Sequence, residues 1–329
     1  MHLKKYTGGV LLTASVTLIA YLLADVPALK KFSLSPIILA ILLGMLIKNT
    51  LGVRRYMRDG VKLCSKKVLR LAIILLGFKL SLAEVGALGL KATLMIVVVS
   101  TATLLITCWL GRKMGISKNL ALLIGSGCSI CGASAVIAVD AVNPNQKEED
   151  VAFAIGVVTI FGTLFMLAYP LLFKAFSMNV GFYAMWTGLS IHEVAQVVAA
   201  GFAVSMEAGL AATVVKLTRV LFIIPVTLFL TLWNCRKGSG KFSLKNVTVP
   251  WFVLLFLGVI ILNSVKIIPA RPTEWLVTLD NYLMTGAMAA LGLETSFGAM
   301  RKVGLKPVYL GVIASVFIAA FSAGIIWLF

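Results

Sequence analysis

Runs of about twenty apolar residues recur from the N-terminus to Phe329, and no polar interval between them is long enough to hold a separate domain. A chain patterned this way satisfies its backbone polar groups inside a bilayer only as helices or as a closed barrel, and runs of this length are helical. Spans are expected at 7–24, 33–49, 67–83, 90–111, 118–140, 150–173, 179–204, 208–232, 248–265, 274–293 and 306–328. The sequence therefore predicts an all-α membrane protein of about eleven transmembrane helices, forming one integral membrane domain over residues 1–329. Composition agrees: 60% of the residues are hydrophobic and 13% charged, against roughly a quarter charged in soluble domains. The first apolar run follows Lys4 and Lys5 and reads as a retained span rather than a cleaved leader.

The net charge of +18 would suggest nucleic acid in a soluble protein, but its placement marks a membrane face instead. One set of alternate loops carries Lys4, Lys5, Arg54, Arg55, Arg58, Lys62, Lys66, Lys67, Arg112, Lys113, Lys118, Lys174, Arg236, Lys237, Lys241, Lys245, Arg301, Lys302 and Lys306. The other carries Lys30, Lys31, Lys91, Lys147, Lys266 and Arg271, so the division is 19 to 6. The positive-inside rule then places the N-terminus in the cytoplasm and the C-terminus outside, in a cell or inner membrane. The cysteines, Cys64, Cys108, Cys128, Cys131 and Cys235, lie in spans or on the cytoplasmic side, which argues against a disulfide framework.

Two internal similarities stand out. Offsets of 214 and 215 align Leu43, Gly44 and Asn49 with Leu257, Gly258 and Asn263, and Leu76, Gly77 and Ser100 with Leu291, Gly292 and Ser315. Spans two to four (33–111) thus resemble spans nine to eleven (248–328). Seven spans separate each pair, so the copies run in opposite directions, as in the inverted repeats of secondary transporters. An offset of 61 aligns Gly127, Ser129, Ile130, Val136 and Ala138 with Gly188, Ser190, Ile191, Val197 and Ala199. Those two spans would be parallel if both crossed the bilayer, so the match requires a re-entrant segment or is fortuitous.

The chemistry concentrates in three places. In IGSGCSICGASAV, Gly125, Gly127 and Gly132 alternate with Ser129 and Ser134, and glycines at about 1 kcal/mol each relative to alanine favour a broken helix. Unwound backbone at membrane depth lines a cavity or is buried, and freed N–H groups bind anions; close packing of small residues is the competing reading. Cys128 and Cys131 have a redox-like spacing, but two thiols do not complete a metal site. In GLSIHEVAQVVAAG, His192 and Glu193 put ionisable groups at depth with Gln196 one turn on from His192, and such groups mark pathways or serve as a packed polar pair. Lys216 and Arg219, three apart on one helical face, suit a multivalent oxyanion; the alternative is salt bridges to Glu193 or Asp280. Lys79, Asn281 and Glu294 are weaker candidates. No Walker sequence supports direct use of ATP, and nothing points to an enzyme, a cofactor or a nucleic-acid partner.

Through GSGCSICGASAV, GLSIHEVAQVVAAG and the AATVVKLTRV that follows, the whole chain resembles the YeiH-type sulfate exporter family of bacterial multi-pass membrane proteins. A more distant likeness, through Gly77 and its neighbours followed by a span and then the Gly/Ser-rich broken span, is to cation/proton antiporters and bile-acid symporters, which implies two discontinuous helices at the midplane. The leading expectation is a secondary active transporter of a small anion, sulfate or a sulfonate, coupled to H⁺ or Na⁺. Lys216 and Arg219 would hold the anion with the backbone of Gly125 to Gly132, and His192 and Glu193 would carry or gate the proton. The alternatives are a monovalent cation/proton antiporter using Glu193 or Asp280, and a passive channel or scaffold. A homodimer is compatible with either transporter.

Overall fold

The computed structural model describes residues 4–26, 36–143, 148–236, 251–295 and 305–328. All of its regular structure among these residues is helical, and the protein is an all-α membrane protein. Six helical segments are long and apolar enough to cross a bilayer: Lys5–Ala24, Gly89–Lys113, Glu149–Ala175, Met206–Asn234, Arg271–Glu294 and Pro307–Leu328. Lys30, Lys31, Lys147, Lys237, Lys241, Lys245, Arg301 and Lys302 lie outside the described residues. The chain divides into two compact units, residues 1–87 with 251–301 and residues 88–250 with 302–329.

The first unit contains α1 (Lys4–Ala24), α2 (Pro36–Thr50), α3 (Arg58–Leu63), a π-helical stretch (Cys64–Val68), α4 (Leu69–Leu76), a 3₁₀ turn (Gly77–Lys79), α13 (Trp251–Ser264) and α14 (Ala270–Glu294). It is held by close backbone crossings that only glycine permits. A Cβ at Gly44 of α2 would enter the backbone of α14 at Ala289 and Gly292, and one at Gly292 would strike Ile41 and Met45. A Cβ at Gly77 would meet Phe256 O at 2.9 Å and the Val259 side chain on α13. The two crossings share one pair of positions that the 215 offset equates, Gly77 and Gly292; Gly258, the mate of Gly44, has open space at its Cβ.

Polar contacts are duplicated in the same register. Asn49 Nδ2 donates to Thr295 O at 3.0 Å, and Asn263 Nδ2 donates to Leu80 O at 2.9 Å. Ser65 Oγ donates to Glu294 Oε2 at 2.6 Å, while the equated positions, Asp280 and Lys79, form an ion pair at 2.7 Å.

The second unit holds most of α5 (Leu82–Lys113), then α6 (Lys118–Ser129), α7 (Ala133–Ala141), α8 (Glu148–Ala175), α9 (Val180–Ser190), α10 (Val194–Phe202), α11 (Met206–Leu221), α12 (Ile223–Arg236) and α15 (Leu305–Leu328). The stretches 118–140 and 179–204, which the sequence reads as two spans, each fold back on themselves. Asn119 at the start of α6 accepts a hydrogen bond from Asn143 just beyond α7. Tyr183 Oη in the first turn of α9 donates to Ala200 O near the end of α10 at 2.8 Å. Straight helices would put these pairs about 36 and 25 Å apart at 1.5 Å per residue, so each segment is a hairpin.

The hairpins open at opposite ends of α8. The base of the first meets its beginning, where Asn119 Nδ2 donates to Asp150 Oδ2 at 2.7 Å. The base of the second meets its end, where the rings of Phe173 and Tyr183 lie 5.0 Å apart. One full-length helix between two re-entrant hairpins reverses their direction, which resolves the parity difficulty of the 61-residue offset. That offset carries α7, Ala133–Ala141, onto α10, Val194–Phe202, end for end, and Ser129 onto Ser190.

Candidate functional site

The two hairpin tips form from different local chemistry. The first turns through Ile130 (φ −117°, ψ −86°) and Gly132 (φ 68°, ψ −135°), and the latter is a conformation essentially confined to glycine. Gly127 sits where a Cβ would press on Val136 of the returning helix at 2.9 Å and on Val158 of α8 at 2.7 Å. Gly125, one turn from the tip, packs against Leu104 and Thr107 of α5. The second tip runs through Ile191 and Glu193 in extended conformation (ψ 143° and 147°), and α10 restarts with a capping box between Glu193 and Gln196.

Each tip exposes a helix C-terminus, whose last carbonyls have no partner inside the helix. Lys216 and Arg219, on one face of α11, supply the missing donors. Lys216 Nζ donates to Ile130 O at 2.7 Å and Ile191 O at 2.8 Å, one carbonyl from each hairpin at equivalent positions. Arg219 Nε donates to Ser129 O at 2.7 Å, its Nη2 to Cys128 O, and its Nη1 to Leu189 O at 2.5 Å and Ile191 O at 3.2 Å. Cys128 and Leu189 are again equated by the offset of 61. Both side chains are completely buried. Their donors are aimed at carbonyls of the two hairpins, and neither makes a salt bridge with Glu193 or Asp280 among the described contacts.

The opposite side of the junction carries the N-termini of α7 and α10. Glu193 caps α10 and lies against Gly132, the cap of α7, where a Cβ would collide with its side chain. Glu193 Oε1 accepts from Thr159 Oγ1 of α8 at 3.2 Å. Gln196 accepts from Glu193 N at 3.1 Å through Oε1 and donates through Nε2 to Thr159 O and Thr163 Oγ1, both at 3.3 Å. Ser134 is exposed and Ala133, Glu193 and Val194 are partly so, whereas His192 is sealed and bonded through Nε2 to Ser315 Oγ at 2.8 Å.

The junction thus gathers Lys216, Arg219, Ser129, Gly132, Glu193, His192 and Gln196. Asp280 is elsewhere, buried in the first unit beside Lys79, which also donates to Asn281 Oδ1 at 2.8 Å. Thr159, Thr163 and Ser315 escaped the sequence reading as site residues. Thr159 and Thr163 are four apart on one face of α8, and Ser315 had appeared only as the repeat mate of Ser100. Cys64, Cys108, Cys128 and Cys131 are free thiols, and no cluster among the described residues could hold a metal ion.

The family model described as Conserved hypothetical protein 698 matches residues 8–311. The chain belongs to that family. It is 37% identical over 317 residues to the UPF0324 inner membrane protein YeiH of Escherichia coli K12, covering 94% of this chain and 90% of that protein. It is 36% identical over 310 residues to a UPF0324 membrane protein of Pasteurella multocida, covering 93% and 92%. It is likewise 36% identical over 325 residues to one from Bacteroides thetaiotaomicron, covering 94% of each chain. No solved structure matches. The family is one of multi-pass membrane proteins, and the relatives from Escherichia coli are named as inner membrane proteins.

Proposed function

We propose that this chain is a secondary transporter of a small anion, sulfate or a sulfonate, coupled to H⁺ or Na⁺, with the hairpin junction as its substrate site. The observation that carries the reading is the charge balance there. Two helix C-termini contribute about −0.5 charge each and two N-termini about +0.5 each, so the dipoles offset one another. Lys216, Arg219 and Glu193 then leave one net positive charge at the junction. That favours an anion over a cation, and it favours one bound where Ser134, Glu193 and Val194 are accessible, at the helix N-termini. Lys216 and Arg219 would act on it through the field and through the hairpin tips they fix.

The hairpins also bear on orientation. With both re-entrant, the loop holding Lys147 moves to the cytoplasmic set and the one holding Lys174 leaves it, so the division of 19 to 6 is unchanged. We therefore assign a cytoplasmic N-terminus and an external C-terminus.

The test is reconstitution. Proteoliposomes should accumulate labelled sulfate or taurine when an ion gradient is imposed, and Glu193→Gln should abolish the dependence on pH. Sodium-dependent proton release with no anion uptake would support the antiporter reading instead.

A further inference from the structure

Six backbone carbonyls, those of Cys128, Ser129, Ile130, Gly188, Leu189 and Ile191, converge at the junction from two helix C-termini. Carbonyl oxygens at half-helix C-termini are the ligands that hard monovalent cations take inside membranes. Here they are met by side-chain cations fixed to α11, and Lys216 places a compact ammonium between one carbonyl of each hairpin at 2.7 and 2.8 Å.

We propose that the junction of the two hairpin tips is a monovalent-cation site permanently filled by the Lys216 ammonium, so that the fold carries a tethered substitute for Na⁺ or K⁺. Three observations support the assignment. The two carbonyls are equivalent by the 61-residue offset, so the cation joins like positions. Arg219 satisfies four others, so the lysine is the point charge of the pair and the guanidinium the planar one. The lysine is wholly buried, and a buried ammonium persists only where its hydrogen bonds and charge are met. Taken with the transporter reading, on which this one step rests, a filled junction leaves no place for Na⁺ there and assigns the coupling role to a proton, with Glu193 as the accessible carboxylate beside it. Glu193 lies against Gly132 on the first hairpin and Thr159 on α8, and the titratable groups near enough to interact with it electrostatically are Cys131 and Lys216.

The experiment needs no knowledge of the substrate. Lys216→Ala removes the tethered cation and opens space for a free one. The melting temperature of the purified full-length protein is measured in choline, sodium, potassium, ammonium and methylammonium chloride at equal ionic strength. Lys216→Ala should melt lower than wild type in choline and regain at least about 2 °C, saturably, in one or more of the small cations. Wild type and Lys118→Ala, which alters an exposed lysine, should show no such preference. If Lys216→Ala does not fold in choline, recovery of folded protein when it is purified in methylammonium or potassium gives the same support. The proposal is overturned if small cations restore neither stability nor folding to Lys216→Ala, or if sodium stabilises the wild type specifically.

Discussion

Replacing Gly132 with alanine should damage the first hairpin tip more than any other single methyl group added to a glycine of that hairpin. At φ 68° and ψ −135° an L side chain is strained, at a cost of about 1–3 kcal/mol. The new Cβ would also overlap Glu193 Cγ, and moving that side chain away breaks the 3.2 Å bond from Thr159, a further loss of about 1 kcal/mol. The sum is about 2–4 kcal/mol, or roughly 3–6 °C in melting temperature for a chain of 329 residues. Gly258→Ala is the control: nothing lies within 4 Å of its Cβ, and its helix should be unharmed or gain about 1 kcal/mol. Thermal melts in one detergent compare the two. Adding Glu193→Ala to Gly132→Ala should cost less than the sum of the two single variants, because each breaks the Thr159 bond and that bond is lost only once. Equal melting temperatures for Gly132→Ala and Gly258→Ala would refute the reasoning.

Further outcomes follow from other contacts. Cysteines replacing Asn119 and Asn143 should cross-link on mild oxidation without loss of the folded protein, because the two side chains touch at the hairpin base; their failure to cross-link would argue for an extended span. Lys79→Met should destabilise by about 3–5 kcal/mol by leaving Asp280 buried and unpaired, and Lys79→Met with Asp280→Leu should recover most of it, as read by urea or thermal unfolding. Tyr183→Phe should cost only about 1 kcal/mol, the value of one buried hydrogen bond, with the hairpin otherwise intact by amide exchange.

Much of this architecture is written in the sequence, and its limits have a physical cause. Apolar run length gave the membrane class, and several of the sparse matches at 214 and 215 fell on residues that make duplicated contacts, Asn49 with Asn263 and Gly77 with Gly292. The three glycines near residue 130 pointed to a broken helix, and Ser129 ends one. Hydropathy could not reveal that 118–140 and 179–204 turn back. A re-entrant pair of ten-residue helices has the same length and apolarity as one span, and only the parity conflict at offset 61 hinted at it. The roles of Lys216 and Arg219 were also hidden. A pair of cations on one face reads as an anion site, because the carbonyls they meet belong to the backbone and leave no side-chain signature. Glu193 was visible as a deep carboxylate, but its closeness to Gly132 depends on the tertiary meeting of two hairpins.

The arrangement of the hairpins is tested most directly by the sidedness of their bases. Single cysteines at Ser117, Glu149, Lys174 and Glu207 in a cysteine-free background are treated with an impermeant thiol reagent in intact cells and in inverted vesicles. Two re-entrant hairpins entering from opposite faces predict that Ser117→Cys and Glu149→Cys label only in inverted vesicles, and Lys174→Cys and Glu207→Cys only in intact cells. Labelling of Ser117→Cys and Glu149→Cys from opposite sides would show that the first segment crosses the membrane and would contradict the account.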